Sequence, residues 1–232
     1  MSPTGEFGTF SVVARDADRQ SWGVAVATKP RSVGAFVPWG EWRVGALATQ
    51  ADTNYSYGPR GLELLRQGRS AEEVVHRLTR ADARREHRQL GVVDRRGRSA
   101  AWTGAKCLDA ALHESGDGFT CQGNLLASSA VVTEMARTFR ASRGPLASRM
   151  VQTLKAGAKQ GGDRRGIQSA ALLVVHHEPG LPMAWGDRWC DVRVDLHARP
   201  IAELERIVRI DQAETARFLA RRAQEKGRRR GR

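Results

Sequence analysis

A hydroxyl, a cation and a backbone amide suffice to cleave an amide when the hydroxyl belongs to the first residue of a chain. The free α-amine then acts as the base, and in model peptides it titrates near pH 8, at about 7.7–8.0. Thr9 begins an alternating apolar stretch directly after Gly8, and a glycine there leaves room for an attack that splits the Gly8–Thr9 bond. Lys29 closes the stretch Val24–Thr28 and is one of five lysines among 38 basic residues. An ammonium in that position lowers the pKa of a neighbouring amine or hydroxyl. Gln122, Gly123 and Asn124 fall between an expected strand and an expected helix, where glycine admits close approach and free N–H groups suit an oxyanion. The polar loop Gly161–Ser169 offers Asp163 and Ser169 to orient a terminal amine, and Asp52, Asn54, Tyr55 and Tyr57 form a second polar loop, the candidate substrate contact. Each feature also has a plain structural reading, as a strand start, a solvated strand-end lysine or a turn.

Other machineries are missing. There is no G-x-S-x-G elbow, no H-E-x-x-H and no phosphate-cradling glycine loop. Cys107, Cys121 and Cys190 are scattered without metal-ligand spacing, so neither a metal nor a cofactor is expected. The formal net charge is +13, of which the segment Arg221–Arg232 supplies +6 (seven basic residues, one acidic) and leaves +7 elsewhere. Such a run reads as an unstructured basic tail at 221–232. Lacking interleaved aromatics, it supports only weak, salt-sensitive nucleic-acid binding. No stretch reaches the roughly 20 apolar residues of a membrane span, and the amino end has no signal-peptide pattern. A cytoplasmic protein is expected.

Apolar periodicity supplies the elements that must position these groups. Strands are predicted at Thr9–Arg15, Trp22–Thr28 and Val44–Gln50, then helices opening at Gly58 and Ser70, the latter with a Ser-Ala-Glu-Glu capping box. Strands at Gln89–Asp94 and Ser99–Thr103 flank a hairpin bend, and a further strand ends at Asn124. Helices Ser129–Ala141 and Pro145–Lys159, strands Ala170–His176 and Val192–Leu196, and a helix from Pro200 complete the order. Blocks of strands and helices in this order argue for layered α+β with antiparallel sheets, one domain spanning 9–220 behind an extension of residues 1–8. Matching the bulkier apolar faces of the first two strands predicts a register with Thr9 opposite Lys29.

Taken in order, Thr9–Asp16, Trp22–Lys29, Ala48–Ala51, Tyr57–Leu62, Arg88–Gly91, Gln122–Asn124, Gly161–Gly166 and Gln168–Ala170 resemble a bacterial family in the Ntn-hydrolase superfamily, a domain of unknown function. The resemblance implies a four-layer αββα sandwich of two antiparallel sheets, like that of proteasome β-type subunits and amide-cleaving acylases. It implies Thr9 as nucleophile, Lys29 as its cationic neighbour, Gly123 near the oxyanion, and Asp163 and Ser169 as supports of the terminal amine. Relatives begin with Met-Thr-Phe, whereas here residues 1–8 must be removed to free Thr9. The function so implied is hydrolysis of a small amide or isopeptide bond through an acyl-enzyme, in a homodimer. The alternative is a non-catalytic ligand-binding protein that keeps the fold.

Overall fold

The computed structural model describes residues 8–16, 20–177 and 188–230. Most of the expected extension, residues 1–7, lies outside the described residues. Alternation along β1 (Thr9–Asp16) and β2 (Ser21–Thr28) buries both faces, which places this pair inside a sheet covered on two sides. β8 (Phe119–Asn124) and then β7 (Leu112–Gly116) continue the sheet beyond β1. β9 (Ser169–Val175) and then β10 (Arg188–Val194) continue it beyond β2. A second antiparallel sheet runs in chain order through β3 (Pro38–Glu41), β4 (Gly45–Ala51), β5 (Arg88–Asp94) and β6 (Ser99–Thr103).

Three apolar cores separate four layers. Phe10, Val12, Ala25 and Leu172 pack against α3 (Ala130–Ala141), α4 (Leu146–Lys159) and α5 (Pro200–Arg230) through Met135, Met150, Leu154 and Leu204. Val13, Trp22, Val24, Val26, Ala46, Ala48, Val93 and Leu173 fill the space between the sheets. Leu47, Leu90 and Val92 face α1 (Tyr57–Arg66) and α2 (Ala71–Arg80). The architecture is an αββα sandwich, as expected. The capping box of α2 is also present, with Ser70 Oγ accepting from Glu73 N and Glu73 returning a bond to Ser70 N.

Four expectations are corrected. The edge strands β3 (Pro-Trp-Gly-Glu) and β7 (Leu-His-Glu-Ser-Gly) carry Pro, Gly and charge, the residues that blunt sheet edges and hide their strand signal. The β1–β2 register is shifted by one, so Thr9 stands opposite Thr28 and not Lys29. Large residues match small ones there: Phe10 opposes Ala27, Val12 opposes Ala25, and Ala14 opposes Gly23. Helix α4 sets that choice, since a Cβ on Gly23 would come within 2.9 Å of Met150 Sδ, and the Phe10 ring lies against Gly157 of α4. A strand ends at Asn124 as expected (β8), but Gln122–Asn124 pair within it and do not open a helix, because α3 begins only at Ala130. Finally, α5 continues as helix to Arg230 through the stretch expected to be unstructured. Its Ala, Arg, Gln, Glu and Lys are strong helix formers, and that propensity outweighs charge repulsion here.

Candidate active site

Pairing across four strands brings Asn124, Thr9, Thr28 and Ser169 into one row at one end of the six-stranded sheet. Opposed residues share a face, and this row looks into the space between the sheets, where all four are buried. Thr9 Oγ1 lies 2.6 Å from the Gly8 carbonyl oxygen and 3.2 Å from Thr28 Oγ1. Thr28 Oγ1 also donates to the Gly8 carbonyl. A third donor reaches that oxygen, Arg165 Nη2 at 3.1 Å. Any side chain at position 8 would clash, because its Cβ would sit 2.8 Å from Leu125 Cβ and 3.0 Å from Arg165 Nη2.

The Gly161–Ser169 loop supplies this cation and its support. Asp163 is almost fully buried and accepts from Arg165 Nη2 at 2.8 Å, Arg165 Nε at 3.0 Å and the Lys29 N–H at 3.0 Å. Lys29 therefore meets the site through its main chain. Its ammonium lies toward Gly166, about 4.0 Å from where a Cβ would stand, and the cation on the Gly8 carbonyl is Arg165. Ser169 Oγ donates to Pro30 O at 2.6 Å and accepts from Val33 N at 3.3 Å, fixing the turn after β2. Gly123 pairs with Phe10, one step inside Thr9, and its carbonyl accepts from Gln89 Nε2 at 2.8 Å.

Behind the row runs a buried chain of amides and hydroxyls. Thr120 Oγ1 donates to Gln122 Oε1, Gln122 Nε2 to Ser11 Oγ, and Ser11 Oγ to Gln50 Oε1. Gln50 Nε2 donates to Gln89 Oε1 at 2.7 Å and to the Thr9 carbonyl at 3.4 Å, and Asn124 Nδ2 donates to the same Gln89 oxygen at 2.9 Å. These six side chains are fully buried. That geometry orients the Asn124 amide, and among the described residues no donor reaches its Oδ1. Gly91 makes room for the chain, because a Cβ there would be 2.3 Å from Gln122 Oε1. Sequence reasoning missed Thr28, Arg165, Ser11, Gln50 and Gln89. For Ser11 the signal is alternation of polar residues in β1 and, beside it, β8. Gln50 and Gln89 are single polar positions on the otherwise apolar inter-sheet faces of β4 and β5, and Thr28 and Arg165 carry no such pattern.

The second polar loop behaves differently. Tyr57 is buried and donates to Asp82, as does Asn54 Nδ2, so neither offers a free group to a ligand. Tyr55 is exposed and packs edge-on against Phe36. Burial, with the bond to Asp82 adding, pushes the Tyr57 phenol well above its ordinary range. Burial would raise Asp82 too, but hydrogen bonds from Asn54, Arg88, the Arg84 main chain and Tyr57 outweigh it and hold the carboxyl well below the usual range. Asp52 alone of this loop lines a cavity of about 340 Å³, with Ala51, Arg84, His87, Lys106, Cys107 and Leu108. Burial pushes the Cys107 thiol up to about 11, which makes it a poor nucleophile. A larger groove of about 1090 Å³ lies between α1 and α2 in the outer layer, lined by residues of those helices and the turn after them. Among the described residues no group of His, Cys, Asp or Glu could hold a metal, and no helix is long and apolar enough to cross a membrane.

Fold and site together define an αββα sandwich with a threonine-centred polar row at one end of its inner space. The chain belongs to the family of unknown function DUF1028, whose profile matches residues 9–204. Among solved structures, the crystal structure of protein SPO2555 from Silicibacter pomeroyi, of the same family, is 31% identical with a TM-score of 0.78, over 87% of this chain and 88% of that one. A search of curated proteins gives no match.

Proposed function

We propose that this protein is an N-terminal-nucleophile amidohydrolase that cleaves its own Gly8–Thr9 bond and then hydrolyses a small amide or isopeptide. The observation carrying this reading is the convergence of two hydroxyls and a guanidinium on the Gly8 carbonyl. Each hydroxyl has one proton. Both are satisfied when Thr9 donates to Thr28 and Thr28 donates to the carbonyl, which leaves the Thr9 lone pairs facing that peptide. With a C=O bond of about 1.2 Å, the carbonyl carbon lies within about 3.8 Å of Thr9 Oγ1.

Attack by Oγ1 on that carbon places the negative charge on the oxygen held by Arg165 and Thr28, where fixed donors stabilise it. The hydroxyl proton ends on the Thr9 nitrogen as the C–N bond breaks, giving an ester and a free α-amine. Water then hydrolyses the ester to a Gly8 carboxylate and a free Thr9 hydroxyl. In the processed chain the α-amine takes the hydroxyl proton during attack on substrate, and the acyl-enzyme forms and hydrolyses by the same two steps. Asp163 fixes the Arg165 fork in both.

Intact-mass analysis of purified folded protein tests this. A species beginning at Thr9 is expected, absent in Thr9→Ala and formed about 100-fold more slowly in Arg165→Met, the scale for losing one oxyanion donor. Folded wild-type protein that stays uncleaved would refute the reading.

A further inference from the structure

The cavity beside β4 reaches the Thr9 end of the sandwich by two routes. Ala51 in its wall follows Gln50, whose Nε2 donates to the Thr9 carbonyl. Leu108 in its wall accepts at its carbonyl from Leu125 N, and Leu125 both follows Asn124 and lies against Gly8. Among the described residues, Ala51 and Leu125 are also two of the five non-glycine residues with positive φ, at 66° and 50°. Backbone held in that sparsely populated region gathers at ligand sites. Leu125 thus stands between the cavity wall and Gly8, one residue from the bond that the nucleophile would attack.

Its charges are unevenly committed. Asp52 is bound by Arg84 Nη2 at 2.5 Å and by Arg88 Nη1 at 3.1 Å, and Arg88 is further held by Asp82. Glu86 uses its main-chain oxygen for the Lys106 N–H and its carboxylate for the Ala105 N–H. Among the described residues no carboxylate pairs with the Lys106 ammonium and no hydrogen bond reaches the His87 ring, although both residues line the cavity. The cavity thus presents one open cation and one imidazole, opposite an aspartate already neutralised by arginine. A single carboxylate fits that set. Two charges on one head group, as in phosphate, would need a second open cation and would meet Asp52.

We propose that this cavity holds a carboxylate at the far end of the substrate's acyl chain, with Lys106 pairing with it and His87 hydrogen-bonded beside it. The proposal rests on the amidohydrolase reading for its catalytic meaning, but the binding can be measured separately. The probe is glutarate, titrated calorimetrically into the full-length Thr9→Ala chain, with glutaramide and inorganic phosphate as comparisons. Glutarate should bind, glutaramide should not, and Lys106→Gln, at an exposed position, should weaken glutarate at least tenfold without altering the melting temperature. On the processed wild type, a glutaryl anilide should be hydrolysed at least tenfold faster than the butyryl anilide. Equal binding of glutarate and glutaramide, no effect of Lys106→Gln, or tighter binding of phosphate would overturn the proposal. Glutarate binding that depends on Lys106, with no anilide hydrolysed by processed protein, would sustain the site and overturn the hydrolase reading instead.

Discussion

The space between the two sheets has two halves. Under β2 and β9, and away from Thr9 along β1, β4 and β5, it is dry, filled by Val13, Trp22, Val24, Val26, Ala46, Ala48, Val93 and Leu173. Along β8, and at the Thr9 end of β1, β4 and β5, the inter-sheet face carries instead Ser11, Gln50, Gln89, Thr120, Gln122 and Asn124. Alternation in β1 shows the change along one strand, from Thr9 and Ser11 to Val13. A core that needed only stability would be apolar throughout, since a buried polar group contributes little net even when satisfied. Amides are kept where the nucleophile is, and they fix the Thr9 carbonyl and the orientation of Asn124. The comparison separates residues that hold the layers together from residues that aim a threonine.

The sharpest way to break the comparison is one substitution in each half. Gln89→Leu strands Asn124 Nδ2, removes the side-chain donor to the Gly123 carbonyl and leaves Gln50 Nε2 only its long bond to the Thr9 carbonyl. With each buried unpaired group costing about 1–3 kcal/mol, a loss of about 4 kcal/mol is expected in urea denaturation. Val24→Ala in the dry half removes two methyls at a fully buried position and should cost about 2 kcal/mol. The Gly8–Thr9 cleavage should slow at least tenfold in folded Gln89→Leu and stay unchanged in Val24→Ala. Equal cleavage rates in the two variants would show that the amides serve packing alone.

Acid sharpens the comparison further. The amide chain contains no titratable group, whereas the Asp82 cluster turns on a carboxylate whose folded pKa is depressed. The unfolded chain takes up that proton near pH 3.9, about the value for a free Asp, while the folded chain resists it. The Asp82 contribution is therefore complete above that pH and is lost as pH falls toward the folded value. Urea midpoints measured from pH 6 to pH 3 should fall in the wild type and fall less steeply in Asp82→Asn. An unchanged slope would remove Asp82 as the source.

Layer order, most element positions and the α2 cap were legible because each rests on local pattern. What local pattern lacks is the partner. Matching apolar bulk placed Lys29 opposite Thr9, yet the register answers to α4, whose Met150 and Gly157 lie more than 120 residues further along the chain. Arg165 reads as one of many surface arginines until the loop folds it onto Gly8. Asn54 and Tyr57 have the composition of a binding loop, but Asp82, 25 residues or more away, takes their polar atoms. Residue type showed what chemistry was available. Where each hydrogen bond ended decided which residues were free to perform it.

Asn124 gives the smallest expected change in the uncleaved chain and the most specific one. Its Nδ2 is held by Gln89 while, among the described residues, no donor reaches its Oδ1, although it stands directly across from Thr9 on the same face. In the uncleaved chain Asn124→Ala removes one neutral hydrogen bond and should cost about 1 kcal/mol. Cleavage creates an ammonium at Thr9 beside that idle oxygen, and hydrogen bonds to charged groups contribute about 1.5–3 kcal/mol. The same substitution should therefore cost at least about 1.5 kcal/mol more in processed protein than in the Thr9→Ala background. It should also lower the pKa of the Thr9 amine, because a bond accepted from the charged form favours that form. Paired urea curves and the pH dependence of amine acylation check both. An identical loss in the two backgrounds would leave Asn124 Oδ1 without a role in holding the nucleophile's amine.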